Sequence, residues 1–155
     1  MTAFHLAGVN VGRLVAPIED PRIDAFRDAL DAINALAEAQ PGFVWRLTGE
    51  GNNATDIKPD PGDDLQAINA SVWETPEHLA AFAYRTEHRE FVRRRLEWFE
   101  KADQPILALW WVPLGHRPDL AECLARLAHL RAHGPTLYAF DLKQRFAAPI
   151  AEAAE

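Results

Sequence analysis

The stretch INASVWETPEHLAAFAYRTEHREFV, residues 68–92, passes from a strand pattern to a helix pattern within a few residues. Apolar and polar side chains alternate through its first part, which is the period of a half-buried β-strand. Thr75 can then cap a helix, and Pro76 suits the first helical position because that position needs no N–H partner. We therefore predict a strand that ends near Trp73 and leads directly into a helix.

The same two patterns recur on both sides of this stretch. Strands are predicted over 4–12, 43–48, 65–74 and 105–113, and helices after the caps Asp20, Thr75 and Asp119. After Thr75, one helix or a pair of helices with a bend near Thr86 is expected to run to about Lys101. Residues 137–142 are predicted to add a short strand. Residues 49–64 are rich in turn-forming residues and predict a long loop, of the kind used as a lid, a binding loop or a mobile segment.

The order of these elements predicts the fold. Strand, helix, strand, strand, helix, strand is the split βαβ repeat of an α+β, ferredoxin-like domain, here followed by an extra C-terminal helix. We expect one domain over residues 1–146 and a frayed tail over 147–155. A sheet of this kind carries helices on one face only, so we expect a homodimer that packs sheet on sheet to cover the other. Of the adjacent Trp110 and Trp111, at least one is expected to face that partner subunit.

The composition narrows the classes of function. The 155 residues include 16 basic and 23 acidic side chains, a net charge of −7, so nucleic acid is not an expected partner. One cysteine cannot form a disulfide framework or a multi-thiolate zinc site within the chain. No apolar run approaches the roughly 18 residues of a membrane span, and the N-terminus lacks a secretory pattern. We expect a cytoplasmic protein without a membrane partner or a metal site.

The predicted helical stretch over residues 84–101 carries the sharpest chemical pattern. At about 100° per residue, one helix face holds Tyr84, His88, Phe91, Val92, Arg95, Trp98 and Phe99. Histidine titrates near neutrality, so His88 is the acid/base candidate, and Arg95 would stabilise negative charge. A buried cation is costly unless it is paired. Two interpretations therefore stay open: both side chains line a pocket, or both are paired within a core or a dimer interface.

Polar residues also interrupt the predicted strands, at Asn10, Arg46, Asn69 and Ser71. Asn69 and Trp73 are four residues apart, so they point to the same side of the sheet. Asn69 and Arg46 would hold an oxyanion of a planar, aromatic substrate, and Trp73 would stack on it. The alternative is that these side chains satisfy only strand ends and dimer contacts.

The quoted stretch resembles the strand-to-helix pattern of the dimeric α/β-barrel superfamily. Further blocks resemble a bacterial domain-of-unknown-function family within it: HLAGVNVGRL, PGFVWRL, SVWE, HREFVRRRLEWFE, LWWVPLGHRP and LRAHGPT. Together they cover roughly residues 5–140. The resemblance implies a ferredoxin-like homodimer, a dimeric α/β barrel. It implies no particular reaction, because this fold hosts many activities.

The wider superfamily includes antibiotic-biosynthesis monooxygenases, which oxidise aromatic polyketides without metal or flavin, and haem-degrading monooxygenases. In the first group a strand Asn and a Trp four residues later line the pocket, and Asn69 and Trp73 resemble that pair. In the second, an Asn on the first strand, a Trp that ends the third and a helical His form the site. Asn10, Trp73 and His88 resemble that set.

Three functions therefore stay open. The first is a monooxygenase-like enzyme that acts on a hydrophobic aromatic molecule and needs no cofactor. The second is haem binding with His88 as the axial ligand. The third is a non-catalytic, dimeric module that binds a small molecule. The expected catalytic residues are His88, Arg95 and Asn69, and the expected substrate-binding residues are Trp73, Arg46, Asn10, Tyr84 and Trp98.

Overall fold

The computed structural model describes residues 3–149. Its strands are β1 (Phe4–Arg13), β2 (Phe43–Arg46), β3 (Gln66–Trp73) and β4 (Leu107–Pro113). Its helices are α1 (Asp24–Glu38), α2 (Pro76–Arg85), α3 (His88–Arg93) and α4 (Leu120–His133), with short 3₁₀ helices at Pro21–Ile23 and Arg95–Glu97. The predicted frayed tail begins at residue 147, and its residues 150–155 lie outside the described residues.

The four strands form one antiparallel sheet in the order β2-β3-β1-β4. This is the order of a ferredoxin-like split βαβ repeat. The predicted α+β fold with an extra C-terminal helix is therefore confirmed. At the centre of the sheet, Asn10 of β1 lies opposite Asn69 of β3 and Leu107 of β4. β2 ends at Arg46, two residues earlier than predicted, and its pairing with β3 is irregular.

The helices begin at the predicted caps. Thr75 Oγ1 accepts a hydrogen bond from the His78 N–H at 3.2 Å, and Asp119 Oδ1 accepts one from the Glu122 N–H at 2.8 Å. Asp20 likewise caps the short 3₁₀ helix that precedes α1. Each such bond satisfies a backbone donor that has no partner inside its helix, and is worth about 1 kcal/mol.

The predicted bend near Thr86 is the junction between α2 and α3. Thr86 has an extended backbone, with φ of −114° and ψ of −177°. Its hydroxyl donates to Phe82 O at 2.5 Å and accepts from the His88 N–H at 3.2 Å. One side chain therefore ends the first helix and begins the second, which determines where His88 lies.

The predicted strand over residues 137–142 is a single β-bridge. Leu109 and Phe140 exchange two backbone hydrogen bonds of 2.8 Å. A turn closed by the Thr136 N–H on Ala139 O lies directly before this bridge. After it, the Asp141 carboxylate accepts from the next backbone N–H groups and turns the chain again. Turns on both sides leave no length for a strand.

α4 covers the sheet face that the sequence assigned to a partner subunit. It buries Cys123, Leu127 and Leu130 against β1 and β4, and Ala54 and Ile57 of the long loop pack on the same cluster. Nine sheet residues of this face are buried within the single chain: Ala7, Val9, Val11, Ile68, Ala70, Val72, Ala108, Trp110 and Val112. The expectation of an uncovered face is therefore wrong. The homodimer stays a prediction, but an uncovered sheet face no longer supports it.

Trp110 and Trp111 lie on opposite faces of β4, as predicted, but the chain itself covers both. Trp110 is fully buried under α4, and its Nε1 donates to Glu122 Oε2 at 2.8 Å. On the other face, Trp111 Nε1 donates to Phe146 O at 2.8 Å. The C-terminal segment returns across the sheet and leaves Trp111 half-buried, so the expectation that one of them faces a partner subunit stays a prediction.

Leu127→Ala tests the packing of α4 on the sheet. We expect it to lower the free energy of unfolding by about 2–5 kcal/mol, because the change loses buried apolar surface and leaves a cavity. Leu114→Ala, at a half-exposed position, is the matched control and should change that free energy by less than about 0.5 kcal/mol. Urea unfolding followed by circular dichroism measures both. Equally small losses would contradict the burial of this face by α4.

Candidate functional site

A cavity of about 410 Å³ lies between the other sheet face and the helices α1, α2 and α3. Its volume is within the range of small-molecule pockets, roughly 300–1,000 Å³. β1, β3 and β4 form the floor, and the loop over 49–64 forms part of the wall. The apolar wall includes Phe26, Leu30, Phe82, Phe91, Trp98 and Phe99.

Two asparagine amides lie side by side on the cavity floor. Asn10 and Asn69 are directly paired across β1 and β3, and both line the cavity. Among residues 3–149, neither side-chain amide has a hydrogen-bond partner within 3.5 Å. Asn69 is exposed although it sits in an inner strand, so the cavity opens to solvent. Each amide therefore keeps two N–H donors for a ligand oxygen.

Gly8 and Gly12 lie two residues before and two residues after Asn10, and neither has a side chain that extends from the sheet. A Cβ at Gly12 would lie 2.7 Å from Phe99 Cδ1, and one at Gly8 would lie 3.0 Å from Leu109 Cδ2. The first of these distances is too short for any side chain, so glycine at position 12 is what allows Phe99 to lie on the sheet. That ring closes one end of the cavity.

His88 is the first residue of α3 and lines the cavity. Its Nδ1 lies 3.3 Å from Ala83 O. A carbonyl oxygen only accepts, so Nδ1 carries the proton and Nε2 of the neutral ring keeps its lone pair. The ring packs on Phe82 with the centroids 4.7 Å apart, and burial lowers the pKa of His88 below its ordinary value. His88 is therefore a neutral base at the edge of an apolar cavity.

Arg95 lies at the start of the 3₁₀ helix after α3 and lines the same cavity. Among residues 3–149, no carboxylate oxygen lies within 4 Å of its guanidinium. Its Cζ lies 5.7 Å from the centroid of the Phe99 ring, and partial burial lowers the pKa of Arg95. A guanidinium nevertheless stays charged in proteins. Of the two interpretations of His88 and Arg95, the geometry agrees with the pocket, where only His88 has a backbone partner.

Arg46 also lines the cavity, but its guanidinium is engaged elsewhere. Nη1 donates to Asn52 O at 2.6 Å, Nη2 donates to Asn52 Oδ1 at 2.9 Å, and Nε lies 3.4 Å from Glu38 Oε2. Asn52 in turn donates to Asp31 Oδ1 at 3.2 Å. The geometry does not favour the predicted role of Arg46 as the binder of a substrate oxyanion. It fastens the loop over 49–64 to α1 and β2.

The three aromatic residues predicted to bind substrate have different surroundings. Trp73 is 1 % exposed and lies between Phe43 and Phe82, each 5.4 Å away between centroids, outside the cavity lining. The expectation that Trp73 stacks on a substrate is therefore not met, because α2 covers this end of the sheet. Trp98 is buried and lines the cavity, and Tyr84 lies at its edge, half exposed.

The long loop contributes lining residues that the sequence analysis did not single out. They are Asn53, Ala54, Thr55 and Lys58. The available signal was the length of the loop, since long loops in compact domains tend to be functional. Its path depends on contacts distant in sequence, among them Arg46 with Asn52 and Arg13 with Asp63, the latter at 2.8 Å.

The described residues include no cluster of three or more His, Cys, Asp or Glu side chains able to hold a metal ion. His129 and His133 stack 4.5 Å apart on α4. Cys123 is buried, and burial raises the pKa of its thiol to about 12, so it is not a ready nucleophile. Within residues 3–149, every helix is too short or too polar to cross a membrane.

These features define an α+β protein of ferredoxin-like topology with an open, largely apolar cavity between its sheet and its helices. The chain belongs to the family described as Domain of unknown function (DUF3291), whose model matches residues 5–155. The resemblance to a domain-of-unknown-function family is thereby confirmed. No curated protein matches the chain.

Three solved structures match over most of their own length. PA3566 from Pseudomonas aeruginosa is 17% identical, with 73% of this chain and 96% of that chain covered and a TM-score of 0.48. A protein of unknown function from Nitrosomonas europaea, NE2512, is 11% identical, with 75% and 94% covered and a TM-score of 0.46. A Chloroflexus aurantiacus J-10-fl protein, proposed to be an antibiotic biosynthesis monooxygenase, is 15% identical, with 75% and 98% covered and a TM-score of 0.44. What the cavity does is therefore argued from its own residues.

The burial of His88 predicts that acid destabilises the protein. In the unfolded chain its pKa is about 6.5, above the lowered pKa in the folded state. The unfolded state therefore takes up a proton first as the pH falls, and stability is lost below that pH. Between about pH 8 and about pH 5.5, we expect the wild type to lose more free energy of unfolding than His88→Gln.

Urea unfolding of both proteins measures this difference. The matched control is the interval between about pH 8 and about pH 9, above the histidine titration, where the two proteins should change equally. An acid loss of the same size in His88→Gln would mean that His88 is not buried as a neutral base.

Proposed function

We propose that the protein is a small enzyme that binds a hydrophobic, aromatic molecule in the cavity and oxidises it as a cofactor-independent monooxygenase. The apolar wall and the two amides of the floor suit a planar ring system that carries oxygen substituents. We further propose a cytoplasmic location, which agrees with the single free cysteine. The family supplies no reaction, so the proposal depends on the geometry of His88.

The hydrogen bond between His88 and Ala83 is the observation that carries the proposal. It holds the proton on Nδ1 and leaves Nε2 as the basic atom. The packing on Phe82 and the cap from Thr86 fix the ring and the start of its helix. A base held in this way can remove a proton from an acidic C–H or O–H group of a bound substrate. General base catalysis of this kind contributes a factor of roughly 10² to 10⁴ in rate.

Loss of that proton places negative charge on a substrate oxygen. The amides of Asn10 and Asn69 donate hydrogen bonds from the cavity floor, and Arg95, without an acidic partner, stabilises the charge. Donors fixed in advance at such a position are worth roughly 10² to 10³ each in rate. Trp98 supplies apolar surface at the wall for the rings of the substrate.

The substrate anion then reacts with dioxygen directly. For an activated methylene, one methylene group and one dioxygen molecule give one carbonyl group and one water. The substrate supplies all the electrons, so no external reductant is needed. The task of the protein is to generate the anion and to hold it against fixed hydrogen-bond donors in the cavity.

Oxygen uptake in the presence of anthrone tests this proposal, because the methylene of anthrone is made acidic by its rings and its ketone. We expect the wild type to accelerate uptake above the rate in buffer, and His88→Gln to lower that rate by about 100-fold or more. His88→Gln should still bind anthrone, as measured by quenching of tryptophan fluorescence. His133→Gln, an exposed histidine on α4, is the matched control and should keep the wild-type rate.

Two results would contradict the proposal. Binding of anthrone without oxygen uptake above buffer would favour the non-catalytic binding module. A wild-type rate in His88→Gln would show that another group acts as the base.

The same imidazole favours haem binding as a second candidate. A histidine whose Nδ1 donates to a backbone carbonyl presents Nε2 to a metal, so His88 would hold the iron of a bound haem. Arg95 and Lys58 line the same cavity and suit the carboxylates of a porphyrin. Bound haem would supply an iron centre for oxygen chemistry. The residues of this chain would ligate the iron and hold the two carboxylates.

Titration with haemin, followed in the Soret region, tests this second candidate. We expect a Soret band that rises to saturation in the wild type and is lost or shifted in His88→Ala. His133→Ala is the matched control and should titrate like the wild type. An unchanged titration in His88→Ala removes the candidate.

A further inference from the structure

The part of the cavity lining that the structure describes has no acidic side chain, although the chain as a whole is acidic. The sequence contains 23 Asp and Glu residues against 16 Lys and Arg residues. Among the described residues that line the cavity, none is Asp or Glu, whereas three are cationic: Arg46, Lys58 and Arg95. The side chains that face the cavity therefore have a charge opposite to that of the whole chain.

Only one of these three cations has an acidic partner. Arg46 Nε lies 3.4 Å from Glu38 Oε2. In the part of the chain that the structure describes, no carboxylate oxygen lies within 4 Å of Lys58 or Arg95. Lys58 Nζ donates to the backbone carbonyl of Asp64 at 3.2 Å. Among residues 3–149, the cavity lining thus includes two positive charges that have no carboxylate oxygen within 4 Å.

A shortage of nearby acids does not explain the state of Arg95. Arg93 Nη2 lies 2.6 Å from Glu90 Oε2, and Arg94 Nε lies 2.9 Å from Glu97 Oε2. These two ion pairs belong to the same short segment, and neither arginine lines the cavity. Arg95, the arginine of this segment that lines the cavity, has no carboxylate oxygen within 4 Å among the described residues.

A partly buried cation without an ion-pair partner has lost hydration, and this loss costs free energy. An anion that enters the cavity and pairs with the cation lowers that cost. The planar guanidinium pairs with a carboxylate through two parallel hydrogen bonds. Aromatic surface lies beside it, since Phe99 is 5.7 Å from the guanidinium carbon and Trp98 lines the same wall. The surroundings of Arg95 therefore match a carboxylate attached to an aromatic body.

We propose that the substrate of this cavity is a small aromatic acid whose carboxylate binds the guanidinium of Arg95, while Lys58 adds positive potential from the loop. This inference rests on the proposed function, because it names the class of substrate for the same site. Asn10 and Asn69 then hold the oxygen that becomes negative during the reaction, and the positive charge of Arg95 acts on that oxygen as well as on the carboxylate.

Isothermal titration calorimetry with naphthylacetate and with naphthylacetamide, its neutral isostere, measures the preference for the acid. We expect the wild type to bind the acid about ten-fold or more tightly than the amide, because hydrogen bonds to charged groups are the stronger ones. Arg95→Met should abolish that preference and leave the affinity for the amide unchanged. Arg93→Met, two positions away and outside the cavity, is the matched control and should keep it.

Two further variants support the comparison. Arg95→Lys should retain part of the preference, since it keeps the charge but loses the paired hydrogen bonds. Lys58→Met should weaken binding of the acid by a smaller factor than Arg95→Met. It also keeps the proposal testable should thermal unfolding show that Arg95→Met is not folded.

The results distinguish a failure of the aromatic-acid proposal from a failure of the proposed function. Equal affinities for acid and amide in the wild type overturn the aromatic acid but leave an aromatic-binding cavity intact. Equal losses in Arg93→Met and Arg95→Met indicate a general effect of net charge and also overturn the inference. If neither compound binds and anthrone is not oxidised, the proposed function fails as well.

Discussion

The alternation of side chains along the two inner strands is the constraint on which the rest of the structure depends. On β1, Val9 and Val11 face α4, whereas Asn10 faces the cavity between two glycines. On β3, Ile68 faces α4 and Asn69 faces the cavity. Because the period is two, a slip of one residue in pairing would exchange the faces and expose the core. The register therefore fixes both the core and the floor of the site.

The site combines groups whose charge states are set by different means. Burial and a bond to Ala83 keep His88 neutral, while Arg95 stays charged although it lacks an acidic partner. Arg46 contributes structure instead, since its bonds to Asn52 hold the long loop as a wall of the cavity. A neutral base beside a fixed cation suits a reaction in which a substrate loses a proton and becomes an anion.

Local patterns predicted the elements well because strands, helices and caps depend on neighbours in sequence. The caps Thr75 and Asp119 and the junction near Thr86 follow from residues within one helical turn. The position of α4 depends instead on contacts with β1 and β4, among them the packing of Leu127 and the bond between Trp110 and Glu122, and no local period encodes them. A face that looked open in the sequence is therefore closed in the fold.

The residues of the candidate site could likewise be predicted where they depend on local sequence patterns, but not where they depend on contacts distant in sequence. Helical and strand periods placed His88, Arg95 and Asn69 on the faces that line the cavity. The spacing of four residues between Asn69 and Trp73 correctly predicted that Trp73 lies on the same face of the sheet as Asn69. It did not predict that Phe82 of α2 packs on Trp73 and buries it. Lys58 was missed because the path of its loop depends on ion pairs and hydrogen bonds distant in sequence.

Nitrogen NMR of the imidazole groups in isotope-labelled protein reports which ring nitrogen of His88 carries the proton, and so tests whether His88 is a neutral base. We expect a neutral His88 near neutral pH, protonated at Nδ1 and with a free Nε2. An imidazolium at that pH, or a proton on Nε2 in the absence of a bound molecule, would contradict it.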